Sequence, residues 1–308
     1  MPPSVSPINW TGNKGCIYET ISAFMPPHRV YIEPCMGSAE VFLRKQPAEK
    51  EIINDYNGDL VNFFRVLRCR SALPKLLGRL YLSFNSEELF LRNKKLLAEI
   101  PNVLDEATET AEILQEITDE NIEHAAAFFE NQVYSFSSTG KSFAIAKKDM
   151  TKRFPRLIAA CNRLRDAIIM HRDYKDVISY AACEDAFILL DPPYKGTESM
   201  YQKSSFDENE HARLFAFMNE IDLRFGGKCK FLITYNNDDY IRSLAEQYAF
   251  DTFVQSRLHN MAQGTHPGAM FEELLIANYD LMRQAEENHH RLAVENSQLS
   301  LFDYICDY

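Results

Sequence analysis

The chain has 308 residues, a formal net charge of −11 and an apolar fraction of 46%, which suits one large α/β domain with an insertion, or two domains. No apolar run approaches the roughly 20 residues of a membrane span, and the start, Met1-Pro2-Pro3-Ser4, lacks the basic and apolar regions of a signal peptide. The seven cysteines are scattered, with no Cys-x-x-Cys pair, which excludes a disulfide frame and points to reduced thiols in a cytoplasm.

In chain order, residues 8–14 read Ile-Asn-Trp-Thr-Gly-Asn-Lys, a loop placing Trp10 and Lys14 around Gly12 before a helix carrying Ile17, Ile21 and Phe24. Val30-Tyr31-Ile32 is a short strand that ends in Glu33-Pro34-Cys35-Met36-Gly37-Ser38-Ala39, followed by a helix with Val41, Phe42 and Leu43. Strand, small-residue turn and helix form the first unit of a nucleotide-type fold. With one true glycine and an acid at Glu33, the turn suits a cationic or zwitterionic ligand such as S-adenosylmethionine (AdoMet) better than a phosphate. The next strand, 51–55, ends at Asp55, 22 residues after Glu33. An acid about 20 residues past the first turn commonly binds ribose hydroxyls. A helix over 59–67 closes this unit. Pro34-Cys35 also matches the nucleophile dipeptide of cytosine carbon-5 methyltransferases, but it sits in the cofactor turn, where a filler cysteine is the better reading.

From residue 68 to 166 helical periodicity dominates. Pro101 to Glu130 holds nine acids and no Lys or Arg, whereas Lys141 to Lys175 holds ten bases against three acids, a local charge of 10 − 3 = +7. The negative total argues against nucleic acid, but this second stretch could track phosphates. Between the two lies a loop rich in amides, aromatics and hydroxyls, suited to base edges. The candidates for such contacts are Asn131, Tyr134, Lys141, Lys147, Lys148, Lys152, Arg153 and Arg156. The expected organisation is one domain over 1–67 and 167–280, an inserted helical module over 68–166, and a flexible tail over 281–308.

Asp173-Tyr174 follows the apolar run 167–170, where a third-strand loop approaches an adenine. Then Ala186-Phe187-Ile188-Leu189-Leu190 reads as a buried strand stopping at Asp191-Pro192-Pro193-Tyr194. The first proline donates no N–H and disfavours helix at Asp191, so the four residues form a rigid lip at a strand's carboxyl end. Further strands are expected over 230–234, 250–254 and 273–277. The loop 259–268 has no evident role, and His289-His290 reads as a surface pair, with no metal expected.

In this order, Trp10-Thr11-Gly12-Asn13-Lys14, Glu33-Pro34-x-x-Gly37, Asn54-Asp55-x-Asn57-x-Asp59-Leu60, Asp191-Pro192-Pro193-Tyr194 and Glu272-Glu273-Leu274-Leu275 resemble the Dam-type, or class α, DNA adenine-N6 methyltransferase family. The resemblance covers about residues 8–279 and implies a Rossmann-like AdoMet-dependent methyltransferase sheet with an inserted, mainly helical target-recognition domain. It also implies that Trp10, Lys14, Glu33, Pro34, Gly37, Asp55, Asp173 and Tyr174 line an AdoMet pocket, and that the lip acts on a base flipped from duplex DNA. Cys35, Asn13 and Ala39 depart from the family's usual Phe and glycines. The alternatives are an RNA amino-group methyltransferase and a DNA-binding protein that has lost catalysis. Gln298-Leu299-Ser300-Leu301-Phe302 resembles the peptide by which bacterial DNA-processing proteins bind the replication sliding clamp. A partner restriction nuclease and a cytoplasmic, nucleoid-associated location complete the expectations.

Overall fold

A computed structural model describes residues 4–99, 117–136, 140–145, 149–196, 206, 209–258 and 270–306, with side chains described up to residue 293. Lys147, Lys148 and the loop 259–268 lie outside these residues. In chain order the first half runs α1 (Tyr18–Phe24), β1 (Val30–Glu33), α2 (Glu40–Arg44), β2 (Lys50–Asn54), α3 (Gly58–Arg68), α4 (Leu73–Tyr81), α5 (Glu87–Glu99), α6 (Asp119–Tyr134) and α7 (Phe154–Leu164). The second half runs β3 (Ile168–Met170), α8 (Tyr174–Ala181), β4 (Ala186–Leu190), α9 (Glu210–Arg224), β5 (Lys230–Asn236), α10 (Asp239–Gln247), β6 (Asp251–Leu258), β7 (Met270–Ala277) and α11 (Leu281–Cys306). The strands form one sheet in the order β3-β2-β1-β4-β5-β7-β6. Neighbours are parallel in the pairs β2–β3, β1–β4 and β4–β5, whereas β7 runs antiparallel to both β5 and β6.

The chain divides into two compact units, one of residues 1–16 and 33–181, the other of residues 17–32 and 182–308. This differs from the expected insertion over 68–166, and the reason is packing. Helix α3 is buried at every position from Gly58 to Leu67, and α6 covers part of it. The Phe63 and Phe129 rings stack at 5.3 Å and 4°. His124 Nε2 lies 2.9 Å from Asp59 Oδ1, and Asn62 Nδ2 donates to the Asn121 carbonyl at 3.0 Å. Helix α6 of the insertion and the helix after Asp55 therefore share one core. Asn57 starts α3 by accepting the N–H groups of Asp59 and Leu60, and a full capping box between Thr118 and Asn121 starts α6.

The second unit is built on β4, whose five residues are all buried. Central strands covered on both faces read as continuous apolar runs, as this one does. Residues 281–306 are helical where a tail without its own fold was expected. The Asn288 amide holds α11 by donating to the Ala23 and Met25 carbonyls at 2.7 and 2.9 Å. No described helix is long and apolar enough to cross a membrane.

Candidate active site

In the first unit the turn after β1 is tied to the end of β2. The Met36 N–H donates to the Asn54 carbonyl at 2.8 Å. Asp55 accepts the Gly37 N–H at 2.9 Å on one oxygen and the Asn57 N–H at 2.9 Å on the other. Gly37 has φ +47°, and a Cβ there would stand 3.0 Å from Trp10 Cδ1 and 3.1 Å from Trp10 Nε1. The indole thus lies against a backbone that only glycine makes thin enough. Trp10 also packs on Phe128, with centroids 6.3 Å apart.

Asn54, in the sequence no more than the motif residue before Asp55, is the hub of this unit. Its side chain is buried. Its Nδ2 donates to the Pro34 carbonyl at 2.8 Å and the Arg172 carbonyl at 2.9 Å, and its Oδ1 accepts the Arg172 N–H at 2.8 Å. One amide therefore fixes the loops that follow β1 and β3. Its place beside Asp55 was the only sequence signal, since its partners lie 20 and 118 residues away. Asp173 Oδ1 accepts the Lys175 N–H at 2.9 Å, and Tyr174, buried, opens α8.

Glu40 anchors the loop that carries Trp10. It accepts Ser4 Oγ at 2.5 Å, the Val5 and Ser6 N–H groups at 3.1 and 3.0 Å, Asn13 Nδ2 at 3.2 Å and Arg44 Nε at 2.6 Å. Asn13 further donates to Ser38 Oγ at 3.0 Å and accepts the Gly15 N–H at 2.6 Å, work that a glycine there could not do. Lys14 is buried, with Nζ donating to the Gly12 carbonyl at 2.7 Å. Ala39 takes a left-handed conformation, φ +52°, the strain that comes with replacing a glycine. Burial works against the Glu40 charge, but the bonds from Ser4, Val5, Ser6 and Arg44 hold its carboxyl below the ordinary 4.5. Its stabilisation is therefore complete above the unfolded value and is lost as pH falls through the lower folded value. Glu40→Gln is expected to lower unfolding free energy by about 2 kcal/mol at pH 7. In urea titrations the deficit should shrink below pH 4.5; a deficit independent of pH would contradict this role.

In the second unit the lip follows β4 directly. Asp191 is half-buried and Pro192 buried. Thr234 Oγ1, on β5, donates to Asp191 Oδ1 at 2.6 Å. The Tyr194 hydroxyl donates to Glu273 Oε2, on β7, at 2.5 Å. Burial first, then the Asp191 and Glu273 carboxylates, push the Tyr194 phenol well above its usual range. Its ring lies 5.7 Å from that of Tyr235, whose hydroxyl meets His211 Nδ1 at 2.9 Å.

The DNA-contacting candidates fare less evenly. Asn131 and Tyr134 are buried: Asn131 Nδ2 reaches the Gly140 carbonyl at 3.4 Å, and the Tyr134 hydroxyl meets Ser83 Oγ at 3.2 Å. Both build the helical module from inside, because α6 is buried from Asn131 to Tyr134. Arg153 Nη1 donates to the Pro7 carbonyl at 3.2 Å and lies 3.4 Å from Asn9 Oδ1, so it clamps the segment before Trp10. Arg163 pairs with Glu51 and lies 3.9 Å over the Phe42 ring. Lys141 and Lys152 are exposed and Arg156 is half-buried.

A mostly parallel sheet with an acid-bearing turn after β1, a carboxylate after β2 and Asp-Pro-Pro-Tyr after β4 defines a Rossmann-like methyltransferase. Residues 10–261 match the D12 class N6 adenine-specific DNA methyltransferase family, and the chain belongs to it. It is similar to the DNA N-6-adenine-methyltransferase of Escherichia phage P1, 26% identical over 254 residues that cover 78% of this chain and 31% of the phage protein. It is also similar to the DNA adenine methylase of Vibrio cholerae O1, 34% identical over 61 residues, 20% of this chain and 22% of that one. The Type II methyltransferase M.CviBI of Paramecium bursaria Chlorella virus NC1A is 28% identical over 123 residues, 38% of this chain and 44% of its own. The matches span less than half the length of each of these relatives.

Proposed function

We propose that the chain is an AdoMet-dependent, site-specific methyltransferase that modifies the N6 amino group of an adenine flipped out of duplex DNA. The observation that carries this reading is the lip: Asp191, directly after β4, with one oxygen engaged by Thr234. An exocyclic amino nitrogen is a poor nucleophile because its lone pair is delocalised into the ring. Asp191 and the Pro192 carbonyl accept its two N–H bonds, which turns the lone pair out of the ring plane and orients it. Pro193 keeps the lip rigid, and Tyr194 stacks on the base. Asp191 need not be a strong base, because the proton can leave after transfer.

The first unit's residues suit AdoMet. Carboxylates at Glu33 and Asp55 match a cationic ligand with ribose hydroxyls, and Gly37, in the turn that Pro34 begins, lets the Trp10 ring lie against the backbone where a Cβ would stand 3.0 Å from it. Glu33, Asp55, Trp10 and Lys14, with Asp173 and Tyr174, would hold it. When bound, AdoMet supplies an electrophilic methyl group on a sulfonium. Lys141, Lys152 and Arg156 contribute the phosphate contacts of the recognition segment 68–166. The test is single-molecule sequencing of DNA from a host that expresses the protein and lacks other adenine methylation. N6-methyladenine in one sequence context is the expected result; modified cytosine, or no modification, would overturn the reading. DNA in the cytoplasm, at the nucleoid, is then the site of action.

Two partners belong to this proposal, a restriction nuclease sharing the target site and the sliding clamp, the latter through Gln298-Leu299-Ser300-Leu301-Phe302. Deleting residues 298–308 leaves the Asn288 anchor of α11 in place, so the body should fold. Pull-down of the clamp by the truncated protein is expected to fail, and undiminished capture would exclude the peptide.

A further inference from the structure

We infer that Glu273 is the positioning residue of the lip: it holds the Tyr194 ring by its hydroxyl and so sets the plane on which the target base stacks. This rests on the function proposed above and adds to it a residue that contacts no reactant. Glu273 is 1% exposed. One of its oxygens accepts the Tyr194 hydroxyl at 2.5 Å, and the other accepts Arg257 Nη2 at 2.7 Å and Nε at 3.2 Å. Asn236 on β5 and Glu273 on β7 face each other across an antiparallel pair, as do Thr234 and Leu275. Side chains two residues apart on a strand share a face, so Thr234 and Glu273 stand on the same side of the sheet. The lip is thus held from behind at two points, Asp191 by Thr234 and Tyr194 by Glu273.

The carboxylate is itself fixed. Arg257 reaches it from β6 and lies 4.7 Å over the Phe271 ring. A phenol hydroxyl bonded to a buried, arginine-paired carboxylate stays protonated, in line with the upward push on Tyr194. The tyrosine therefore presents its ring to the base and keeps its hydroxyl out of proton transfer. A phenylalanine in its place offers the same π face but lets it pivot.

The experiment measures methyl transfer from tritiated AdoMet into DNA lacking N6-methyladenine, with wild type, Tyr194→Phe, Glu273→Gln and the double variant. Tyr194→Phe is expected to lower kcat about tenfold through lost orientation, with KM for AdoMet within about twofold of wild type. Glu273→Gln keeps an acceptor for the hydroxyl and should lose less. On the Tyr194→Phe background it should cost nothing further, the non-additivity of residues acting as a unit. A purely structural glutamate would change thermal stability and leave the kcat split and the coupling untouched. Wild-type kcat in Tyr194→Phe, or losses that multiply in the double variant, refute the inference. If wild type itself transfers no methyl group to DNA, the proposed function fails and this inference falls with it.

Discussion

Asp191→Ala is expected to lower methyl transfer at least on the order of 10³-fold while leaving duplex binding within a few-fold of wild type. The estimate combines the loss of one precisely oriented acceptor with the loss of alignment it provides. Asp191 accepts the Thr234 hydroxyl at 2.6 Å, and the substitution removes that bond together with the substrate acceptor. Asp191→Asn keeps one acceptor oxygen and is expected to retain a rate above that of the alanine variant. Gel-shift titration and single-turnover methylation of the same preparation separate the two effects. Full activity in Asp191→Ala would remove the lip from the mechanism; lost DNA binding would make it a recognition element instead.

Asp55 carries the second large effect, on AdoMet. Hydrogen bonds to a charged group contribute roughly 1.5–3 kcal/mol each, and about 1.4 kcal/mol is tenfold in affinity. Asp55→Ala should therefore weaken AdoMet on the order of 100-fold by calorimetry. Two causes act together. A ribose acceptor is lost, and so are the acceptors of the Gly37 and Asn57 N–H groups, both at 2.9 Å. Asp55→Asn keeps an oxygen for one of those N–H groups and should fall between. A dissociation constant for AdoMet unchanged in Asp55→Ala would dismiss the assignment.

Local signals made much of the fold legible. The five-residue apolar run ending in two prolines marked β4 and the lip, and both stand where expected, with Asp191 directly after Leu190. Strand–turn–helix around Glu33 and the acid 22 residues later marked the ends of β1 and β2 for the same reason. What stayed hidden depends on partners distant in sequence. Nothing near Arg153 announces that the Pro7 carbonyl, 146 residues away, accepts its hydrogen bond. Charge periodicity does not tell a free guanidinium from one paired like Arg163 with Glu51. Amides and aromatics suited to base edges equally suit the inside of a helical module, where Asn131 and Tyr134 stand. Glu273 was visible as a motif residue, but its bond to Tyr194 arises only when β7 pairs with β5.

The shared core of α3 and α6 bears on how target specificity could be re-engineered. A recognition cassette cut at residues 67/68 and 166/167 would strip α3 of the ring that stacks on Phe63 and leave Asp59 without His124. A donor cassette would need to supply matching partners at both places, or the chimera would begin with a cavity and a buried carboxylate that has lost its imidazole. The compact unit that holds both helices is residues 1–16 with 33–181, so an exchange that keeps their shared core carries the turns after β1 and β2 with it. On the proposed function, the choice of target travels with those turns rather than with a detachable module.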